Sequence, residues 1–202
     1  MKPLGATRPT LTELGRQVFG FHALNDHVHD YNAFSDDVGD LRLDARRQAY
    51  MEVTNKYYDL VTDFYEYGWD ESFHFAPRLI DETFRESLRR YEHYLALRLA
   101  LQPGETVMDV GCGIGGPMRN IARFSGADVV GINNNAYQIR RAEALNAAKG
   151  LGQQCRLVKG DFMAIPLPDA SVDKAYAVEA TCHAPTLEVV YREVARVLRD
   201  GA

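Results

Sequence analysis

From residue 106 onward the chain alternates short apolar runs with amphipathic stretches. Residues 106–110 (TVMDV), 128–133 (DVVGIN), 155–159 (CRLVK) and 173–178 (DKAYAV) are short and mostly apolar, as strands buried on both faces are. Between them, 116–124, 136–149 and 187–199 read as helices, the first with Met118, Ile121 and Phe124 at helical spacing. Alternation on this spacing predicts an α/β fold, a doubly wound parallel sheet covered by helices. Upstream the pattern is helical and rich in aromatics. Leu79 to Leu101 places Ile80, Phe84, Leu88, Tyr91 and Leu95 near helical spacing, and the QPGE run at 102–105 breaks it before the first strand. Residues 1–50 are polar and mixed. The chain therefore divides into a polar arm (1–50), a helical aromatic-rich segment (51–104) and an α/β core (105–202). The turn at Asp200, Gly201 and Ala202 should lead into a further strand, so the sheet is expected to be cut after its fourth strand, as in the front part of a longer protein.

The first strand opens into MDVGCGIGGP, Met108 to Pro117. Strand, glycine loop and helix in this order form the entry to a nucleotide-type site. Glycines let the backbone approach a ligand, and the helix start offers free N–H groups. The spacing Gly111-x-Gly113-x-x-Gly116 also fits a dinucleotide fingerprint, which alone is a weak signal. Two details favour S-adenosylmethionine over NAD. Asp109 precedes the first glycine, where a carboxylate suits an ammonium group and does nothing for a pyrophosphate. The next strand ends in Asn133, Asn134 and Asn135, where the NAD pattern wants an acidic residue for the ribose. An amide can still bond ribose hydroxyls. The alternative is a structural glycine turn with no ligand.

Composition narrows the partners. A net charge of -5 without any basic run gives no support for a nucleic-acid partner. No apolar stretch approaches the length of a transmembrane helix, and the first fifteen residues lack the apolar centre of a signal peptide. The three cysteines show no paired spacing, which reads as a reduced compartment with no zinc site. His22, His27 and His29 gather with Asp26 and Asp30, where a solvated arm is a better reading than a metal site.

Four segments together carry a resemblance: YYDLVTDFYEYGWDESFHFAPR at 57–78, the glycine loop through NNNAYQI at 108–139, KGDFMAIPLPDASVD at 159–173 and YAVEATCHAP at 176–185. The glycine loop alone indicates only an S-adenosylmethionine-dependent methyltransferase. With YEYGW, NNN-x-YQ and EATCHAP the chain resembles the sterol 24-C-methyltransferases, from about Asn55 to its end. Asp70 stands where that family usually has glycine, and RVLRDGA replaces the more usual RVLKPGG. The resemblance implies a Rossmann-like class I methyltransferase fold and transfer of a methyl group from S-adenosylmethionine to carbon 24 of a sterol side-chain alkene. It implies a place on the cytoplasmic face of the endoplasmic reticulum or on lipid droplets. Peripheral membrane association and a homo-oligomer stay open.

An isolated alkene has no proton to remove beforehand, so methylation needs positioning and a dry pocket, then a surface that tolerates a carbocation, then a proton acceptor. Tyr65, Glu66, Tyr67 and Trp69 offer aromatic faces for the cation and a carboxylate for charge or for the sterol hydroxyl. His183 is a candidate proton acceptor or positioning residue. The expected cofactor residues are Asp109, Gly111, Cys112, Gly113, Gly115 and Gly116 of the loop, then Asn133, Asn134 and Gln138, then Asp161 for the adenine amino group with Phe162 by the ring, and Glu179 at the fourth strand's end. Two rivals remain: another small-molecule or lipid methyltransferase of the same fold, and a non-catalytic binding protein.

Overall fold

A computed structural model describes residues 43–201. The polar arm up to residue 42, with its histidine cluster, lies outside the described residues. The chain runs α1 (Leu43–Trp69), α2 (Phe84–Arg98), β1 (Thr106–Val110), α3 (Gly116–Ser125), β2 (Asp128–Asn133), α4 (Ala136–Ala148), β3 (Cys155–Lys159), β4 (Lys174–Tyr176) and α5 (Leu187–Val197). The first two turns of α1 fall inside the stretch read as arm. The strands form one parallel sheet in the order β3-β2-β1-β4. Val107 pairs with Val129 on one side and with Lys174 on the other.

Burial on both faces explains the near-continuous apolar strands. Val107 and Val129 pack with Ala96 of α2 and with Met118 and Ile121 of α3 on one face. Met108, Val110, Val130 and Ile132 point the other way, onto Phe162, Val190 and Val197, and Tyr50 of α1 joins them. The glycine loop is anchored to the sheet, since the N–H groups of Gly111 and Cys112 both donate to the Ile132 carbonyl, at 2.9 and 3.1 Å.

Two predicted boundaries move. The helix expected from Leu79 begins at Phe84, where Thr83 and Glu86 form a reciprocal capping box that satisfies free N–H groups of the first turn. Leu79 to Glu82 instead form a turn in which Glu82 accepts from the Leu79 N–H and from Arg90, and Ile80 is 94% exposed. The fourth strand ends at Tyr176 rather than 178. The chain bends there through Glu179, whose φ of 48° is left-handed, into a 3-10 turn at Thr181–His183.

α1 lies across the carboxyl ends of the strands and is fixed to α4 by side-chain hydrogen bonds. Asn135 Nδ2 donates to Asp59 at 2.8 Å, Tyr137 to Asp63 at 2.7 Å and Gln138 Nε2 to Thr62 at 3.1 Å. One turn further, Arg141 grips Glu66 with two bonds of 3.0 and 2.5 Å. Asp59, Thr62, Asp63 and Glu66 follow the i, i+3, i+4, i+7 rule of a single helix face. A polar seam thus docks this face of α1 onto α4.

Candidate functional site

The carboxyl ends of β1, β2 and β4 open into a cavity roofed by α1. Its floor is Gly111 and Gly113, followed by Asn133, Asn134 and Gln138 at the β2–α4 corner. Phe162 closes one side, and Val178, Glu179, Ala180 and His183 close the side beyond β4. α1 contributes Tyr50, Thr54, Asn55 and Tyr58, and the α1–α2 connection contributes Phe73. Eight of the residues anticipated from sequence therefore meet in one space: Gly111, Gly113, Asn133, Asn134, Gln138, Phe162, Glu179 and His183.

The glycines divide by task. Gly111 has φ +79°, and a Cβ there would sit 2.4 Å from the Ala180 Cβ, so its smallness lets the loop and the turn after β4 share a wall. Around Gly113 the space is open, with Phe73 nearest at 3.9 Å. Gly115 and Gly116 do not line the cavity. A Cβ on Gly116 would overlap the Glu71 carbonyl oxygen at 2.0 Å, so this position lets the α1–α2 connection lie against the start of α3.

Asp109 sits beneath the loop rather than in the cavity wall. It is 2% exposed and accepts a hydrogen bond from the Tyr176 hydroxyl at 3.0 Å. Burial pushes its carboxyl up to about 7, against the opposing pull of the Tyr176 bond. Cys112 is also buried, and desolvation pushes its thiol well up, leaving it unreactive. Asp161 accepts from the Met163 N–H at 2.8 Å in a tight turn that presents Phe162 to the cavity.

A second buried polar group stands behind the loop. Glu92 accepts from Ser72 at 2.6 Å, from His74 at 3.0 Å and from Asn120 at 2.5 Å. Burial would pull His74 down, but its bonds to Glu92 and to the Phe75 carbonyl outweigh that and leave it raised. Arg119, 1% exposed, is held by Glu71, by the Ile114 carbonyl and by Asn146. These groups stiffen the loop from behind and do not reach the cavity.

The YEYGW motif is split by its helix. Tyr65 and Trp69, one turn apart, have ring centroids 5.3 Å apart, and Tyr65 lies 5.4 Å from Phe73. Through Phe73 this aromatic cluster continues the cavity wall. Glu66 points instead into the seam with α4, where Arg141 occupies both of its oxygens. Tyr67 is 45% exposed and turned to solvent. Asp70, one residue past the helix end, has φ 66°, the left-handed conformation that glycine adopts at least cost.

Tyr50, Asn55, Tyr58 and Phe73 were not anticipated from sequence. Tyr50, Thr54 and Tyr58 recur every fourth residue, which puts them on one helix face. That spacing was legible, but nothing in it told a site face from a core face. Asn55 supplies the most informative detail. Its Oδ1, and the Nδ2 of Asn134, are buried without a hydrogen-bond partner among the described residues. A free acceptor and a free donor on two residues lining the same cavity fit a ligand hydroxyl, which can donate and accept at once. Neutral amides of this kind can bond ribose hydroxyls.

The family described as "Methyltransferase domain" matches residues 108–202. A cycloartenol-C-24-methyltransferase of Arabidopsis thaliana is 56% identical over 158 residues, which cover 78% of this chain and 47% of that protein. A sterol 24-C-methyltransferase of Pneumocystis carinii is 52% identical over 162 residues, covering 80% of this chain and 43% of that one. Over the length it spans, the chain is similar to the sterol 24-C-methyltransferases. The chain spans about half the length of the curated relatives it matches.

Solved structures agree on the class I methyltransferase fold. Geranyl diphosphate C-methyltransferase from Streptomyces coelicolor, solved with S-adenosyl-L-homocysteine, superposes with a TM-score of 0.65 at 20% identity, covering 76% of this chain and 62% of that chain. The [4+2]-cyclase SpnF superposes with a TM-score of 0.69 at 25% identity, covering 74% and 57%. A cyclase on the same scaffold shows that the fold alone does not decide the reaction.

Proposed function

We propose that the cavity binds S-adenosylmethionine and a sterol together, and that the protein transfers the methyl group to carbon 24 of a side-chain alkene. The observation that carries this is the meeting, in one space, of the glycine floor, a neutral amide corner with two unpartnered polar atoms, and an aromatic wall, in a chain 56% identical to a C-24 methyltransferase. When bound, the cofactor supplies an electrophilic methyl group on a sulfonium.

This chain's residues do the rest. Gly111 and Gly113 let the backbone approach the cofactor. Asn134 and Asn55 hold its hydroxyls from opposite walls, and Phe162 packs on the adenine ring. Tyr65, Trp69 and Phe73 form the wall a sterol side chain meets. An isolated alkene needs no base at the start of the reaction, so the protein's first task is alignment in a space closed to water. Once carbon 24 is methylated, the positive charge lies on the side chain. Aromatic faces lower the energy of such a cation by about 0.5–2 kcal/mol each, through the ring quadrupole and without forming a bond to it. Glu66, locked to Arg141, holds α1 in place and is not free to contact substrate.

A sterol resides in membranes, so this reading places the protein at a membrane surface, on the cytoplasmic face of the endoplasmic reticulum or on lipid droplets. Among the described residues no helix is long and apolar enough to cross a bilayer. The test is product analysis. The full-length protein, given methyl-labelled S-adenosylmethionine and sterols differing only in side-chain unsaturation, should place label on carbon 24 of the unsaturated members. Label on oxygen, on nitrogen or on an acyclic lipid would reassign the substrate.

A further inference from the structure

We propose that Tyr58 and His183 form a coupled proton acceptor in this cavity, Tyr58 taking the substrate proton while passing its own hydroxyl proton to His183. The proposal rests on the reading above, that the site adds a methyl group to an uncharged carbon.

Charge balance requires such an acceptor. A methyl group delivered from a sulfonium brings one positive charge to a neutral alkene. A neutral alkene product leaves only when a proton departs. Among the described residues, four titratable side chains line the cavity: Tyr50 and Tyr58 from α1, and Glu179 and His183 from the turn after β4. Tyr50 packs against Phe162, with ring centroids 6.2 Å apart. Glu179 uses Oε1 to accept from the Phe75 N–H at 2.9 Å, and its side chain is exposed. Tyr58 and His183 are joined to each other across the cavity. The Tyr58 hydroxyl lies 2.8 Å from His183 Nε2, and the two rings meet edge to face at 84°.

Burial sets the charge of the imidazole. Desolvation alone shifts His183, and it shifts it downward, so the imidazole is neutral near neutral pH. In the proposed pair the neutral imidazole accepts the Tyr58 hydroxyl proton at Nε2 and carries its own hydrogen on Nδ1. The oxygen of Tyr58, a residue that lines the cavity, then acts as a hydrogen-bond donor to His183 and keeps acceptor character toward a substrate proton. A weak base suffices, because a C–H bond beside a carbocation is far more acidic than a protonated phenol or an imidazolium. In the step, the C–H bond breaks and its electron pair becomes the new carbon–carbon double bond. The proton joins the Tyr58 oxygen, and the former hydroxyl proton moves to Nε2. Tyr58 ends neutral, and the charge rests on the imidazolium, one residue removed from the product.

The pair also ties α1 to the turn after β4, so a purely mechanical role must be separated from proton transfer. Tyr58→Phe keeps the ring and deletes the hydroxyl. In the full-length protein it should lower kcat about a hundredfold, the size of a general acid–base contribution, while the sterol KM and S-adenosylhomocysteine affinity stay unchanged. The wild-type kcat should fall on the acid side as His183 protonates, and the variant should lose that limb. Independently of turnover, the imidazole nitrogen spectrum of the ligand-free protein should show His183 protonated at Nδ1 with Nε2 as acceptor, and Tyr58→Phe should remove the acceptor shift at Nε2. A hydrogen on Nε2 in the wild type would overturn the proposal. So would a Tyr58→Phe variant with wild-type kcat, including one in which Glu179→Gln abolishes turnover. If the wild-type protein methylates no sterol, the functional reading falls first and the proposal with it. If it methylates and Tyr58→Phe matches it, only the proposal falls.

Discussion

The cavity has two walls built on different physics. The sheet side, β1 and β2 with the glycine loop, is packed from apolar side chains buried on both faces, with Val107, Met108, Val129 and Ile132 fully excluded from solvent. The α1 side is pinned through Asp59, Thr62, Asp63 and Glu66, each holding a polar partner on α4. Apolar packing adds about 25 cal/mol for each Å² buried and is indifferent to small shifts. Hydrogen bonds add about 1 kcal/mol each and lapse when geometry slips. The difference teaches where adjustment is possible. The cofactor floor cannot move without unpacking the core, whereas the α1 wall can be loosened one bond at a time.

The largest way to break this contrast is at Arg141. Removing its guanidinium strands the Glu66 carboxylate, which is 4% exposed. Arg141→Ala should cost about 3–5 kcal/mol, read by denaturant unfolding. Replacing Glu66 and Arg141 together with methionine should restore much of that loss. Equal losses for the single and double changes would mean that the seam is not a coupled pair.

A pH experiment probes the sheet side. The Asp109 carboxyl stands at about 7 in the fold, above its ordinary value, so the folded chain binds more protons than the unfolded chain between about pH 4 and 7. Its contribution is therefore complete at low pH and lost as pH rises through that window. Asp109→Asn removes the dependence. The ligand-free variant should gain on the wild type as pH rises, by on the order of a few kcal/mol at pH 8. A constant difference across the window would show that Asp109 ionises normally despite its burial.

The split of YEYGW sharpens the comparison within α1 itself. Trp69→Leu should slow turnover about fivefold to thirtyfold, the equivalent of 1–2 kcal/mol of lost cation stabilisation, with little change in sterol KM. Tyr67→Leu, on the solvent face, should leave turnover intact. Equal effects would mean that the motif acts as a unit and that the helix does not sort its members.

These contrasts also explain what the sequence disclosed. The strands, their order of burial and the glycine loop were legible because a sheet buried on both faces imposes a continuous apolar run and because glycine marks close approach. Gly111, Gly113, Asn133, Asn134 and His183 could be placed at strand ends for the same reason. The roles within the loop were not legible. Gly116 and Gly113 look alike in sequence, and only the Glu71 carbonyl against one and open space beside the other separate them. Asp109 reads as a ligand carboxylate, and nothing near it in sequence marks Tyr176, 67 residues away, as the hydroxyl bonded to it. Glu66 reads as a carboxylate for charge or for the sterol hydroxyl, and nothing near it in sequence marks Arg141 as its partner. The two carboxylates turn on long-range polar partners, which local periodicity does not encode.

The smallest expected effect lies at the hinge between the two walls. Asp70 ends α1 in a left-handed conformation and pairs with the exposed Arg85 at 3.0 Å. Asp70→Gly should relieve more backbone cost than the surface pair provides, a net gain on the order of 0.5–1 kcal/mol in thermal unfolding. A loss of stability would show that the ion pair, not the backbone, dominates there.

The central claim is that both walls close on one ligand. Hydrogen exchange on the full-length protein, with and without S-adenosylhomocysteine, tests it most directly. The account predicts added protection at residues 111–113, at 133–138 and on α1 from 50 to 58. Protection confined to the sheet side, with α1 exchanging as before, would contradict it.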